Sequence, residues 1–154
     1  MSTICETTLR VRYAETDQMA VVYHSNYIIW FEVGRGELLH TLGLSYLDLE
    51  RDGIHLPVVE VNCRYKHPAR YDDEVTIRTT LAPTNGSLLR FSYEALRKHD
   101  GRLLATGESV HLVVGGSEMK RTQLPPKYLT LFQAAATEPP RRRRARANSS
   151  SAEG

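Results

Sequence analysis

Apolar and polar residues alternate along much of this chain, and the period of alternation changes in a definite order. Leu9, Val11 and Tyr13 alternate with Arg10 and Arg12, so residues 4–14 (ICETTLRVRYA) predict a strand with one wet face. Residues 15–25 (ETDQMAVVYHS) sustain no period and read as a loop. Residues 26–42 predict a helix, with Ser25 or Asn26 to cap it and Gly43 in the position of a C-terminal stop. Along this helix Tyr27, Phe31, Gly34, Leu38 and Leu42 form one stripe. Ile28, Ile29, Trp30, Val33 and Leu39 spread apolar surface well beyond it. A helix apolar around most of its girth is expected to be buried. Gly34 and Gly36 each cost about 1 kcal/mol of helix propensity relative to alanine, so another element is expected to pack very close to that face.

Four strand-like runs follow: 56–67, 74–82, 88–99 and 102–114. Val75, Ile77 and Leu81 alternate with Arg78 and Thr80; Leu89, Phe91, Tyr93 and Ala95 alternate with Arg90, Ser92 and Glu94. The links hold Pro68, Asp72-Asp73, Asn85-Gly86 and Asp100-Gly101, all turn chemistry, so the strands form an antiparallel sheet. Residues 45–53 predict a short helical turn and 126–135 a last helix. The fold class is therefore α+β, with a sheet curled around one long helix. A single layer leaves the outer face and the edges uncovered, so a homo-oligomer is expected, a dimer or a dimer of dimers.

Length and composition fit one ordinary domain: 154 residues, 41% apolar and 25% charged. No apolar run is long enough to span a bilayer, and the N-terminus shows no basic and apolar secretory pattern. Cys5 and Cys63 stand far apart without metal-ligand spacing. Neither a disulfide framework nor a zinc site is expected, and a reducing cytoplasm is the simplest compartment. The net charge of +2 hides an asymmetry, because residues 138–154 hold five arginines (Arg141, Arg142, Arg143, Arg144, Arg146) against two glutamates. The domain reads as residues 1–136. The tail, 137–154, lacks large apolar residues and is expected to be disordered. It has no interleaved aromatic residues or binding module, so it reads as a solubilising or weakly electrostatic tail rather than a nucleic-acid or membrane contact.

Chemistry concentrates just before the apolar helix. The run Tyr13-Ala-Glu15-Thr16-Asp17-Gln-Met-Ala-Val-Val-Tyr23-His24-Ser25-Asn26-Tyr27 gathers acids, a histidine, tyrosines and an amide there. A helix N-terminus offers unpaired N–H groups and about half a positive charge, which suits an oxyanion. A nearby carboxylate can act as nucleophile or as general base on water, so the combination suits ester or thioester hydrolysis. Asp17 stands nine residues before Asn26, too far to cap the helix. The plainer alternatives stay open: His24 could satisfy backbone groups, Tyr13 and Tyr23 could pack, and Glu15 reads as a solvated loop acid.

The stretch YAETDQMAVVYHSNYIIWFE resembles the active-site signature of the 4-hydroxybenzoyl-CoA thioesterase family, and more closely its bacterial branch of short acyl-CoA thioesterases associated with the Tol–Pal system. The similarity continues through GLSYLDLERDG, LPVVEVNCRYKHPARYDDEV and LATGESVHLVV, covering roughly residues 6–127. It implies a hotdog fold, assembly as a dimer of dimers, and hydrolysis of an acyl-CoA thioester to a free acid and CoA. Carried over by position, the catalytic carboxylate falls on Asp17. The backbone N–H of His24 polarises the thioester carbonyl, with Tyr23 beside it. Tyr23, His24 and Asn26 shape this loop, with Tyr13 beside it; Tyr23 and His24 join Asp17 as catalytic candidates, and Tyr13, Asn26 and Tyr27 are substrate-binding candidates. Glu32, which another hotdog branch would use, is expected instead to pair with Arg35 one turn on. Coenzyme A phosphates call for cations, and the candidates are Arg64, Lys66, Arg70, Lys120 and Arg121. The loop 83–88, basic in the 4-hydroxybenzoyl enzyme, holds none here. Met19, Val21, Val22, Tyr27 and Leu56 or Pro57 are expected as pocket walls. No metal or organic cofactor is implied beyond CoA within the substrate. The rival readings are a thioesterase acting on acyl carrier protein and a non-catalytic acyl-CoA-binding protein.

Overall fold

The computed structural model describes residues 2–138, so the arginines of the tail lie outside the described residues. The elements are β1 (Ile4–Arg10), α1 (Ser25–Thr41), α2 (Tyr46–Arg51), β2 (Ile54–His55), β3 (Val58–Tyr65), β4 (Glu74–Leu81), β5 (Leu88–Arg97), β6 (Leu103–Leu112), β7 (Val114–Gly115), β8 (Lys120–Arg121) and α3 (Pro126–Ala135). Five strands form one antiparallel sheet in the order β1-β4-β5-β6-β3, and β2, β7 and β8 form a small second one. The sheet wraps α1, as the resemblance implies.

Burial explains the wrap. On α1, Trp30, Phe31, Leu38 and Leu39 are buried against Val75, Ile77 and Leu81 of β4, Leu89, Phe91 and Tyr93 of β5, and Leu104 of β6. Phe31 stacks flat on Tyr93, with centroids 4.6 Å apart and planes 7° off parallel. Two glycines allow the close approach. A Cβ on Gly34 would lie 2.4 Å from Thr79 Oγ1 and 2.7 Å from Ile77 Cγ2; one on Gly107 would lie 2.4 Å from Phe31 Cε2. Gly34 therefore marks the tight contact expected from its cost in helix propensity. Gly36 does not, because nothing lies within 4 Å of its Cβ position.

A buried polar chain runs through the centre. Arg35 Nη1 donates to Tyr93 at 3.0 Å, Tyr93 meets Ser109 at 2.5 Å, Ser109 meets His111 Nε2 at 2.8 Å, and His111 Nδ1 meets the Leu56 carbonyl at 3.0 Å. Since a carbonyl only accepts, His111 carries its proton on Nδ1, and each hydroxyl donates toward the histidine. Arg35 Nε also donates to Tyr46 at 2.9 Å. The Glu32–Arg35 pair expected from spacing is not formed: Arg35 turns into the core toward two phenols, and Glu32 is exposed.

Other expectations are corrected in detail. The first strand ends at Arg10, because Tyr13–Glu15 close a 3-10 turn in which Arg12 N–H binds Glu15 Oε1 at 2.8 Å. The helix is not buried on all sides: Ile29 is 51% and Val33 42% exposed. The outer strand β3 is open almost throughout, and Val58, Val59, Val61 and Tyr65 are all exposed. Among the described residues no helix is long and apolar enough to cross a membrane. Both cysteines are free thiols.

Candidate active site

The loop before α1 is tightly made. Thr16 and Val22 form an isolated antiparallel bridge, with Asp17 N–H donating to Val21 O at 2.9 Å and Tyr23 N–H to Glu15 O at 2.8 Å. Between them Ala20 N–H returns to Asp17 O at 3.0 Å, and Ala20 takes φ 61°. Asp17 Oδ1 accepts Met19 N–H at 2.8 Å, which fixes the carboxylate and leaves Oδ2 uncommitted.

Glu15 anchors this loop to α1. It is buried, not solvated as its sequence neighbourhood predicts. Its Oε2 accepts the Trp30 indole N–H at 2.8 Å, and its carbonyl accepts Asn26 Nδ2 at 2.9 Å. Burial pushes the Glu15 carboxyl up, but the hydrogen bonds from Arg12 N–H and Trp30, with the Arg12 charge, more than offset this and hold it below its ordinary value.

The segment after β3 closes the other side. Val22 N–H donates to Ala69 O at 2.9 Å, Ala69 N–H to the Tyr27 hydroxyl at 3.1 Å, and Tyr65 OH to the His24 carbonyl at 2.8 Å. The result is a cavity of about 290 Å³ lined by Asp17, Met19, Val21, Val22, His24, Tyr27, Tyr65, Lys66, His67 and Pro68. His24 stands at the N-cap with helical φ and ψ. The N–H groups of His24 and Ser25 find no acceptor among the described residues. Thus Asp17, with one free carboxylate oxygen, and His24, at the N-cap of a helix whose first N–H groups are unpaired, line the same hollow. That combination can activate a nucleophile and receive a developing oxyanion.

The candidate residues do not all gather there. Asp17, His24 and Tyr27 do. Tyr23 does not line the cavity; it is exposed, with its ring 4.3 Å from that of His24. Asn26 acts through the Glu15 carbonyl. Tyr13 is 78% exposed and packs edge-on against Tyr71 at 5.6 Å. Lys120 and Arg121 form β8 in the small sheet, outside the cavity, and Lys120 pairs with Glu118 at 2.8 Å. Of the expected walls, Leu56 and Pro57 line a different hollow, beside Tyr46. Lys66 does line the Asp17 cavity; Tyr65 and His67 were not singled out from sequence, although both lie in the CRYKHPAR stretch.

Two other features compete for attention. A larger hollow of about 420 Å³ lies under α3, but its Asp52 is already held by Lys127 at 2.7 Å and by Tyr128. Ser109 and His111 have the spacing of a nucleophile and its base, yet both are 1% exposed and serve the Arg35 chain. Among the described residues no cluster of three or more His, Cys, Asp or Glu side chains could hold a metal ion.

A sheet wrapped on one helix, with an aspartate on the cavity at that helix's start, is the arrangement of a hotdog-type hydrolase. The sequence pattern of the thioesterase-like superfamily matches residues 11–133, and the chain belongs to that family. It is 39% identical over 115 residues to YneP of Bacillus subtilis, named as a candidate acyl-CoA thioesterase, covering 75% of this chain and 83% of the relative. It is 29% identical over 132 residues to the acyl-CoA thioester hydrolase YbgC of Escherichia coli O157:H7, covering 86% and 98%. Among solved structures it is similar to the DHNA-CoA thioesterase of Staphylococcus aureus, with a TM-score of 0.80, 32% identity, and coverage of 85% and 89%.

Proposed function

We propose that this protein hydrolyses an acyl-CoA thioester to a free carboxylic acid and CoA, with Asp17 as the working carboxylate. The observation that carries this reading is the meeting of Asp17 and the open N-terminus of α1 on one cavity. The thioester oxygen sits on the His24 N–H. Asp17 Oδ2 then either attacks the carbonyl carbon, expelling CoA as its thiolate and leaving an acyl–Asp17 anhydride that water hydrolyses to the free acid, or takes a proton from the attacking water and passes it to the departing thiolate. A donor aimed at such an oxyanion is worth about 10²–10³ in rate. Tyr23 and Tyr27 border the loop, and Met19, Val21 and Val22 offer an apolar wall to the acyl group. The working unit we propose is a homodimer joined through β3, or a dimer of dimers built from it. Pairing two open β3 edges would cover Val58, Val59 and Val61. The reaction needs no metal or organic cofactor, and the free thiols suit a reducing cytoplasm.

The test is release of free thiol from acetyl-, hexanoyl-, decanoyl- and benzoyl-CoA, comparing wild type with Asp17→Asn. Expected is turnover by wild type that survives dialysis against a chelator and falls by about 10²-fold or more in the variant, with its fold intact. Turnover that persists in Asp17→Asn moves the chemistry elsewhere. Tight acyl-CoA binding without turnover by wild type supports a binding protein, and turnover only with acyl carrier protein supports that rival.

A further inference from the structure

The edge strand of the sheet reaches the start of α1 through one side chain. The Tyr65 hydroxyl donates to the backbone carbonyl of His24 at 2.8 Å. Its ring packs edge-on against Tyr27, with centroids 5.2 Å apart, and against His24 at 6.3 Å. The His24 carbonyl and the Ser25 N–H are the two ends of one peptide group. A donor bound at the oxygen of a peptide draws electron density from its nitrogen, so the N–H at the other end becomes a stronger donor. The Ser25 N–H has no acceptor among the described residues, and neither has the His24 N–H. No side chain caps this helix. Tyr65 thus binds the peptide plane that carries the second of the two free N–H groups, that of Ser25, next to the His24 N–H of the preceding peptide. It also remains protonated: loss of solvent around the hydroxyl, with the Cys63 thiol beside it, pushes Tyr65 up to about 12.

We propose that Tyr65 is a positioning residue for the reaction, holding the His24–Ser25 peptide so that both N–H groups, rather than the His24 N–H alone, receive the thioester oxygen. The proposal rests on the reading that the thioester carbonyl lies at this end of α1. Tyr65 touches neither the substrate carbonyl nor Asp17 in this scheme; it acts through the peptide it binds. A purely structural tyrosine, tying β3 to α1, would change stability but not the polarisation of a bound carbonyl.

Tyr65→Phe separates the two, because it removes the hydroxyl and keeps the half-exposed ring in its packing. Its kcat should fall about threefold to tenfold with KM unchanged, the size expected for one hydrogen bond acting indirectly. Thermal unfolding of the variant checks that the fold is retained. The decisive readout is the infrared stretch of a ¹³C-labelled thioester carbonyl, using the acyl-CoA that wild type turns over fastest, bound to Asp17→Asn and to Asp17→Asn/Tyr65→Phe. A red shift on binding to Asp17→Asn that shrinks in the double variant supports the proposal. Equal red shifts in both proteins overturn it while leaving the helix-end reading intact, whatever happens to kcat. No red shift in Asp17→Asn itself overturns the helix-end reading, and the role of Tyr65 falls with it.

Discussion

Replacing Glu15 with alanine removes the acceptor that closes the Asp17 loop onto α1. The Glu15 side chain is buried, with Oε1 receiving the Arg12 N–H at 2.8 Å and Oε2 receiving the Trp30 indole N–H at 2.8 Å. Alanine leaves both donors without their partner. A hydrogen bond to a charged acceptor contributes about 1.5–3 kcal/mol, and removing the carboxylate also removes its own desolvation cost. The Arg12 guanidinium, 3.5 Å away and largely exposed, adds little. The net loss should be about 3 kcal/mol, or about 6–12 °C in Tm for a domain of this size. Trp30 is the single tryptophan of the chain, so its fluorescence during urea unfolding reports the very group whose partner is lost. Glu15→Gln, which keeps one acceptor oxygen, should lose about half as much. A double-mutant cycle with Trp30→Phe, followed by circular dichroism, should show a coupling of about 1.5 kcal/mol or more. Acid titration adds a sign. The folded Glu15 lies below its ordinary value of 4.5, so its stabilisation is present above that pH and is lost as pH falls through the lower folded value. Glu15→Gln should flatten that acid limb. A cost for Glu15→Ala below about 1 kcal/mol, or no coupling to Trp30, would refute the argument that this carboxylate anchors the loop.

His111 should give a separate pH dependence: burial, with the Arg35 charge, pushes it down to about 4 despite its bond to the Leu56 carbonyl. The unfolded chain takes up that proton near 6.5, so stability should fall by about 3 kcal/mol between pH 6.5 and 4. Urea midpoints across that range should show the slope in wild type and not in His111→Gln. Gly34→Ala gains about 1 kcal/mol of helix propensity but drives a methyl group into Thr79 and Ile77, so it should destabilise by about 1–2 kcal/mol in chemical denaturation. Val61→Asp puts a carboxylate on each of two facing β3 strands; light scattering should find a smaller particle than wild type, and an unchanged mass would count against pairing through β3.

Much of the architecture was legible because a strand repeats every two residues and this helix spreads apolar residues around its girth. The order of strand, helix and four strands, and the close approach at Gly34, followed from that pattern. The boundaries were less legible: Tyr13 continues the alternation of β1, yet the Arg12–Glu15 contact bends the chain away. Charged partners were least legible. Arg35 has Glu32 one turn away, but Tyr46 and Tyr93 hold it inside, and Tyr93 is 58 residues distant in the chain. Glu15 looked solvated because its partner Trp30 lies 15 residues on, across a loop whose path the pattern does not define. Asp17 and His24 could be singled out because they flank a recognisable helix start, and both line the cavity there. Tyr65 was not legible because its hydrogen bond to the His24 carbonyl depends on where β3 crosses that start.

The pairing of β1 with β4, where Ile4 faces Thr80 and Arg10 faces Glu74, bears on how the chain is made. The first strand leaves the ribosome well before its partner has been synthesised. The Asp17 loop shares that delay, since Val11 and Val22 hydrogen-bond to Asp73 and Ala69. Contacts so distant in sequence form late, after a long loop has closed. A nascent chain halted before residue 69 would carry every residue of the loop and its anchors on α1, but would lack the Ala69 and Asp73 carbonyls that hold its other side. Completion of the Asp17 loop is therefore a late event of biosynthesis, although its residues are among the first to be translated.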